Sequence, residues 1–125
     1  MDKKTLSLTK EEAIRQHRKM WRWIAEEIKK EKEYHEICYY KKRYCNRYFP
    51  DYKIECYCFL CEYSCQKSGN KDKISKCLSC PLQWTNSKNL TCIGGYYGLI
   101  IMLTDKYNRV HYANIIAELP EVEDV

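Results

Sequence analysis

The chain has 125 residues, 22 Lys and Arg against 17 Asp and Glu, and a formal charge of +5, with nine cysteines and twelve tyrosines. That length fits one domain, 1–125, with a modest core. The mild positive balance permits contact with nucleic acid or an acidic protein surface without demanding either, and it excludes a strongly acidic mimic of DNA. Segment 1–9 has no apolar run of signal-peptide length, and the longest apolar run, Leu99 to Leu103, is too short to cross a bilayer. The expectation is a cytoplasmic protein, with no membrane among its partners.

Taken in chain order, Thr9 and Glu12 form a Thr-x-x-Glu capping box, with Glu11 and Glu12 where the first helical turn favours negative charge. A helix is predicted to start there. Ile14, His17, Trp21, Ile24, Ala25 and Ile28 recur at three- and four-residue steps and give it one apolar face. No proline or glycine interrupts 10–42, the N-terminal helical region, although its extent beyond Tyr34 is left open. Trp21 and Trp23 are two positions apart, so at about 100° per residue they cannot face the same core. Met20 and Trp23 are therefore a candidate exposed anchor for a protein partner, unless another layer covers them.

The next segment, Tyr34 to Tyr48, interleaves tyrosines with cations. Tyr39, Tyr40 and Tyr44 could stack bases while Lys41, Lys42, Arg43 and Arg47 neutralise phosphates. The commoner arrangement packs half the tyrosines beside a neighbouring module and leaves the cations solvated. Phe49-Pro50-Asp51 is the one clear turn signal here.

Residues 56–92 carry the most specific pattern. Cys58-Phe-Leu-Cys61 and Cys77-Leu-Ser-Cys80, fifteen residues apart, have the spacing of a tetrahedral Zn²⁺ cage. Cys58, Cys61, Cys77 and Cys80 are the expected ligands, and a closed four-thiolate cage is structural. Cys56, Cys65 and Cys92 are each able to replace one of them, and an iron-sulfur cluster takes the same donor set. The odd total of nine cysteines speaks against a complete disulfide framework. Four bound thiolates and one Zn²⁺ would bring the formal +5 down to +3.

After Gly94-Gly95, the apolar run Tyr96 to Leu103 fits either a buried strand or one or two turns of buried helix. Thr104 and Asp105 read as N-cap and first residue of a largely buried helix that Pro120 ends, so 96–119 forms the C-terminal part. The expected class is mainly α with a small zinc-ribbon or knuckle-type module: N-terminal amphipathic helix, central four-cysteine zinc site, C-terminal helix. No nucleophile motif, phosphate-binding glycine loop or deaminase-type HxE with PCxxC is present, and the three histidines are scattered. The expectation is that the chain is not an enzyme.

The strings Cys58-Phe-Leu-Cys61-Glu-Tyr and Cys77-Leu-Ser-Cys80-Pro-Leu-Gln-Trp84, with Cys92, Met20-Trp-Arg-Trp23 and Ala113-Asn-Ile-Ile-Ala-Glu-Leu-Pro120, resemble small cysteine-rich zinc-binding proteins encoded by phages and prophages of Gram-positive bacteria. Cys38, Cys45, Cys65 and the tyrosine-rich basic segment depart from that pattern. The resemblance implies Zn²⁺ on Cys58, Cys61, Cys77 and Cys80, the cytoplasm of a bacterial host as location, and stoichiometric binding of a host protein. Inhibition of a defence system, as by anti-CRISPR proteins, is the leading specific expectation. The alternative is a nucleic-acid-binding or transcription accessory protein using segment 39–48.

Overall fold

The computed structural model describes residues 4–54, 59–60, 63, 82 and 96–121, and over these it is mainly helical. In order come β1 (Lys4–Thr5), α1 (Lys10–Lys30), α2 (Ile37–Tyr48), β2 (Tyr52–Lys53), α3 (Tyr96–Met102) and α4 (Lys106–Ala117). The two short strands pair in parallel, Lys4 with Tyr52 and Thr5 with Lys53, which ties the start of the chain to the turn after α2. The four proposed zinc ligands, together with Cys56, Cys65 and Cys92, lie outside the described residues.

α1 starts where the capping box places it. Thr9 Oγ1 accepts from the Glu12 amide at 3.1 Å, Glu11 and Glu12 occupy the first turn, and Lys29 and Lys30 the last, so both ends complement the helix dipole. Its buried stripe holds the predicted Ile14, His17, Trp21, Ile24, Ala25 and Ile28, and adds Ala13 and Met20.

The opposite wall of that stripe is α4, which runs antiparallel to α1. His17 meets the Ile116 carbonyl near one end, and Lys106 reaches the Glu31 carbonyl at 2.8 Å near the other. α3 packs on α4, and α2 packs on the flank of α1. Phe59 and Leu60, the two residues between Cys58 and Cys61, are fully buried in this helical core, as is Leu82, which bridges Glu121 in antiparallel fashion. Burying such side chains is worth roughly 1.5–3 kcal/mol each.

Three expectations are corrected. The uninterrupted 10–42 region is two helices, because α1 ends at Lys30 and α2 begins at Ile37. The break has a tertiary cause: Arg109 of α4 is fully buried, its Nη1 donates to Glu31 Oε1 at 2.7 Å, its Nη2 donates to the His35 carbonyl, and its guanidinium lies 4.5 Å from the Tyr34 ring centroid. Continuing the helix would withdraw those acceptors from a buried cation.

The run Tyr96 to Leu103 is helical up to Met102, but only Ile100 in it is buried, since Leu99, Ile101 and Met102 face outward. The third correction concerns the cap of α4, which is Asp105 itself, accepting from the Asn108 amide at 2.9 Å, and leaves Tyr107 exposed at the start of a helix expected to be largely buried.

Candidate nucleic-acid interface

α2 divides the tyrosine-rich segment by helical phase. Ile37, Tyr40, Lys41, Tyr44 and Cys45 turn inward, whereas Cys38, Tyr39, Lys42, Arg43, Asn46 and Arg47 turn outward. The helix contains no carboxylate, so its outward face is basic without internal compensation. Tyr39, Arg43 and Arg47 stand four residues apart and form one row along the helix, about 12 Å from end to end.

That row is organised by aromatic contacts. His35 stacks on Tyr39 at 4.1 Å between centroids, the Arg43 guanidinium donates to Tyr39 Oη at 3.0 Å, and the Arg47 guanidinium lies 5.4 Å from the Tyr48 ring centroid. Tyr39 and Tyr48 are 37% and 49% exposed, and each carries a cation beside its ring, the Arg43 guanidinium 5.4 Å from the Tyr39 centroid and Arg47 beside Tyr48, while His35 takes one face of Tyr39. Preset cations next to exposed rings are what single-stranded nucleic acid requires, because each nucleotide offers one phosphate and one π-face.

The inward residues of the same segment are structural, and three of the predicted contacts, Tyr40, Lys41 and Tyr44, are among them. Tyr40 is buried with its hydroxyl on Glu31, and burial followed by that hydrogen bond pushes the phenol far above its usual range. Lys41 sits 4.6 Å from the Tyr97 ring centroid and donates to Tyr97 Oη at 3.3 Å, linking α2 to α3. Tyr44 packs edge-on against Trp23 and Phe59, donates to Gln16 Oε1 at 3.1 Å, and is pushed up to about 12 by burial, with Tyr48 and Cys45 adding to the effect. Met20 is 0% exposed inside the α1 stripe and is no surface anchor. Trp23 is half-buried against the core, covered in part by α2 as the extra layer.

Between α1 and α2 lies a cavity of about 390 Å³ lined by Gln16, Lys19, Trp23, Tyr44, Tyr48 and Phe49. Sequence reasoning picked Trp23 and Tyr44 from this set for other reasons, read Phe49 only as part of a turn, and missed Gln16, Lys19 and Tyr48. Nothing in their spacing announces the cavity, because it exists only where two helices cross.

No group of three or more His, Cys, Asp and Glu residues able to hold a metal is found among the described residues. His17 is packed, as its place on the apolar face of α1 predicted. It is fully buried, bonded through Nε2 to the Ile116 carbonyl at 3.0 Å, and burial holds its pKa down to about 3. No helix among the described residues is long and apolar enough to cross a membrane. Comparison with known proteins finds no matching family model, no similar curated protein and no similar solved structure.

Proposed function

We propose that the chain is a non-catalytic nucleic-acid-binding accessory protein whose contact surface is the outward face of α2. The observation that carries this reading is the carboxylate-free row of Tyr39, Arg43 and Arg47, flanked by Lys42 and the exposed Tyr48. In this reading Lys42, Arg43 and Arg47 lie along phosphates and Tyr39 and Tyr48 stack bases. A structural Zn²⁺ on Cys58, Cys61, Cys77 and Cys80, as the sequence spacing suggests, would staple the intervening segment to the helices.

The test is titration of a fluorescent single-stranded 12-mer at several salt concentrations, with the wild type and an Arg43→Ala/Arg47→Ala double variant. Each lost phosphate contact lowers the slope of log K against log salt by about 0.7, so the double variant is expected to show a slope shallower by about 1.4 and weaker binding throughout. Binding that is insensitive to salt and to both substitutions would sink the reading.

A second reading keeps the phage-type inhibitor of a host protein, and moves its contact from Met20 and Trp23 to the corner between α3 and α4. Met102 and Tyr107 are each 81% exposed there, beside the exposed Leu99 and Ile101. Methionine and aromatic side chains are enriched at protein interfaces. A nuclease-resistant, stoichiometric host protein in a tagged pull-down from a Gram-positive lysate, lost on Met102→Asp, is the outcome that would favour this reading, and a defence-system component would be its leading candidate.

A further inference from the structure

We infer that the cavity between α1 and α2 is a nucleotide site, taking an aromatic base against Trp23 and Tyr48 and a phosphate at its mouth. The inference rests on the nucleic-acid reading of α2 and adds to it a place where a base is held and not merely stacked. Three properties of the cavity point to that ligand. At about 390 Å³ it falls in the range of small-molecule sites, roughly 300–1,000 Å³. Four of its six lining side chains are aromatic and none is a carboxylate. Its rings are already clustered, with Tyr44 5.6 Å from Trp23 and 4.7 Å from Tyr48 between centroids.

The polar groups complete the match. Gln16 Oε1 accepts from Tyr44, which fixes the amide orientation and leaves its Nε2 donors without a partner among the described residues. Those donors can serve a ring nitrogen or carbonyl of a base. Lys19, exposed and in no ion pair among the described residues, supplies a cation on the α1 side. Arg47, held against Tyr48, supplies another on the α2 side. An aliphatic ligand would bury against Gln16 and gain nothing from either cation, and a bare anion would have no use for the aromatic walls. A base carrying a phosphate uses all of them.

The row Tyr39, Arg43, Arg47 ends at this mouth, because Arg47 contacts Tyr48 and Tyr48 lines the cavity. A single strand running along α2 can therefore turn one base into the cavity. The same chemistry belongs to a free nucleotide, and the experiment separates the two sources.

The Trp23 indole N–H resonance and fluorescence anisotropy are followed in the full chain with three probes: a 12-nucleotide deoxyadenosine strand, an abasic strand of the same length, and AMP. The proposal predicts that the base-bearing strand shifts Trp23, that the abasic strand binds at least about 5-fold more weakly without that shift, and that Gln16→Glu and Lys19→Ala each weaken the base-dependent component by about 5- to 100-fold, the range expected of a single held base. Arg22→Ala, which removes an exposed cation elsewhere on α1, should leave that component unchanged. Gln16→Glu keeps an acceptor for the Tyr44 hydroxyl, so the fold is preserved while the donor is lost.

Equal affinity for both strands with no shift of Trp23 would overturn the cavity and the base stacking by Tyr39 and Tyr48, and leave only the phosphate contacts of Lys42, Arg43 and Arg47 standing. A Trp23 shift with AMP but no binding of either strand would uphold the cavity as a free-nucleotide site and sink the single-strand reading. Silence from all three probes would overturn both.

Discussion

His17 shows how a polar residue is fitted to a buried face. Its ring is fully buried beside Trp21, with centroids 6.4 Å apart, and bonds the Ile116 carbonyl, so it joins α1 to α4 as a neutral group. Burial lowers its pKa from 6.5 to about 3, which means that between these values the unfolded chain binds a proton that the folded chain does not. Stability is therefore intact above about pH 6.5 and falls as the pH drops toward 3. The His17 contribution to that loss should be about 2 kcal/mol between about pH 7 and pH 5. Denaturant unfolding of wild type and His17→Gln at the two pH values checks it; an unchanged pH dependence in the variant would show that other groups carry the effect.

Helix ends and breaks are decided between elements. Arg109 holds the 31–36 connection against α4 through Glu31, Tyr34 and His35, while Arg18 donates to the carbonyls of Ala117 at 3.0 Å and Leu119 at 3.1 Å, closing the end of α4. Both contacts join α1 or its exit to α4, so the pair α1 and α4 is clamped at both ends. Removing one partner of a buried ion pair leaves the other charge stranded, at roughly 3–5 kcal/mol. Arg109→Leu should destabilise the protein by about that amount, whereas Arg22→Leu, which breaks only the exposed pair with Glu118, should change stability by less than about 1 kcal/mol. Chemical denaturation of the two variants measures the difference, and similar values would refute the clamp.

Across the whole molecule, the core of α1, α2 and α4 takes in Phe59 and Leu60 from within the first cysteine pair, and Leu82 from just beyond the second. A metal on Cys58, Cys61, Cys77 and Cys80 would then act on the stability of the helices as well as its own segment. Structural zinc sites supply roughly 10–16 kcal/mol of apparent binding energy, so chelation or Cys58→Ser should lower the melting temperature of the entire protein and change helical circular dichroism. Elemental analysis of the purified protein should find one zinc per chain. Iron with sulfide would identify a cluster, and helical signals indifferent to chelation would separate the metal from the helical core.

Local rules reach a definite distance into this fold. The capping box at Thr9 and the apolar period from Ile14 to Ile28 were sufficient to place α1, because both act within a few residues of chain, and the lack of internal carboxylates that makes α2 basic is written in its composition. The cysteine spacing is a local pattern of the same kind, and the zinc site expected from it lies on residues outside the described ones. Three-dimensional packing decided the rest. The helix break at Glu31 depends on a guanidinium 78 residues later, and the burial of Met20, Tyr40, Lys41 and Tyr44 depends on which faces α2, α3 and α4 cover. The cavity lined by Gln16, Lys19 and Tyr48 arises from the crossing of α1 and α2. Side-chain type and spacing set what each helix can present, but a face becomes core or contact surface only when another element lies on it, and that choice is made by the sum of long-range contacts.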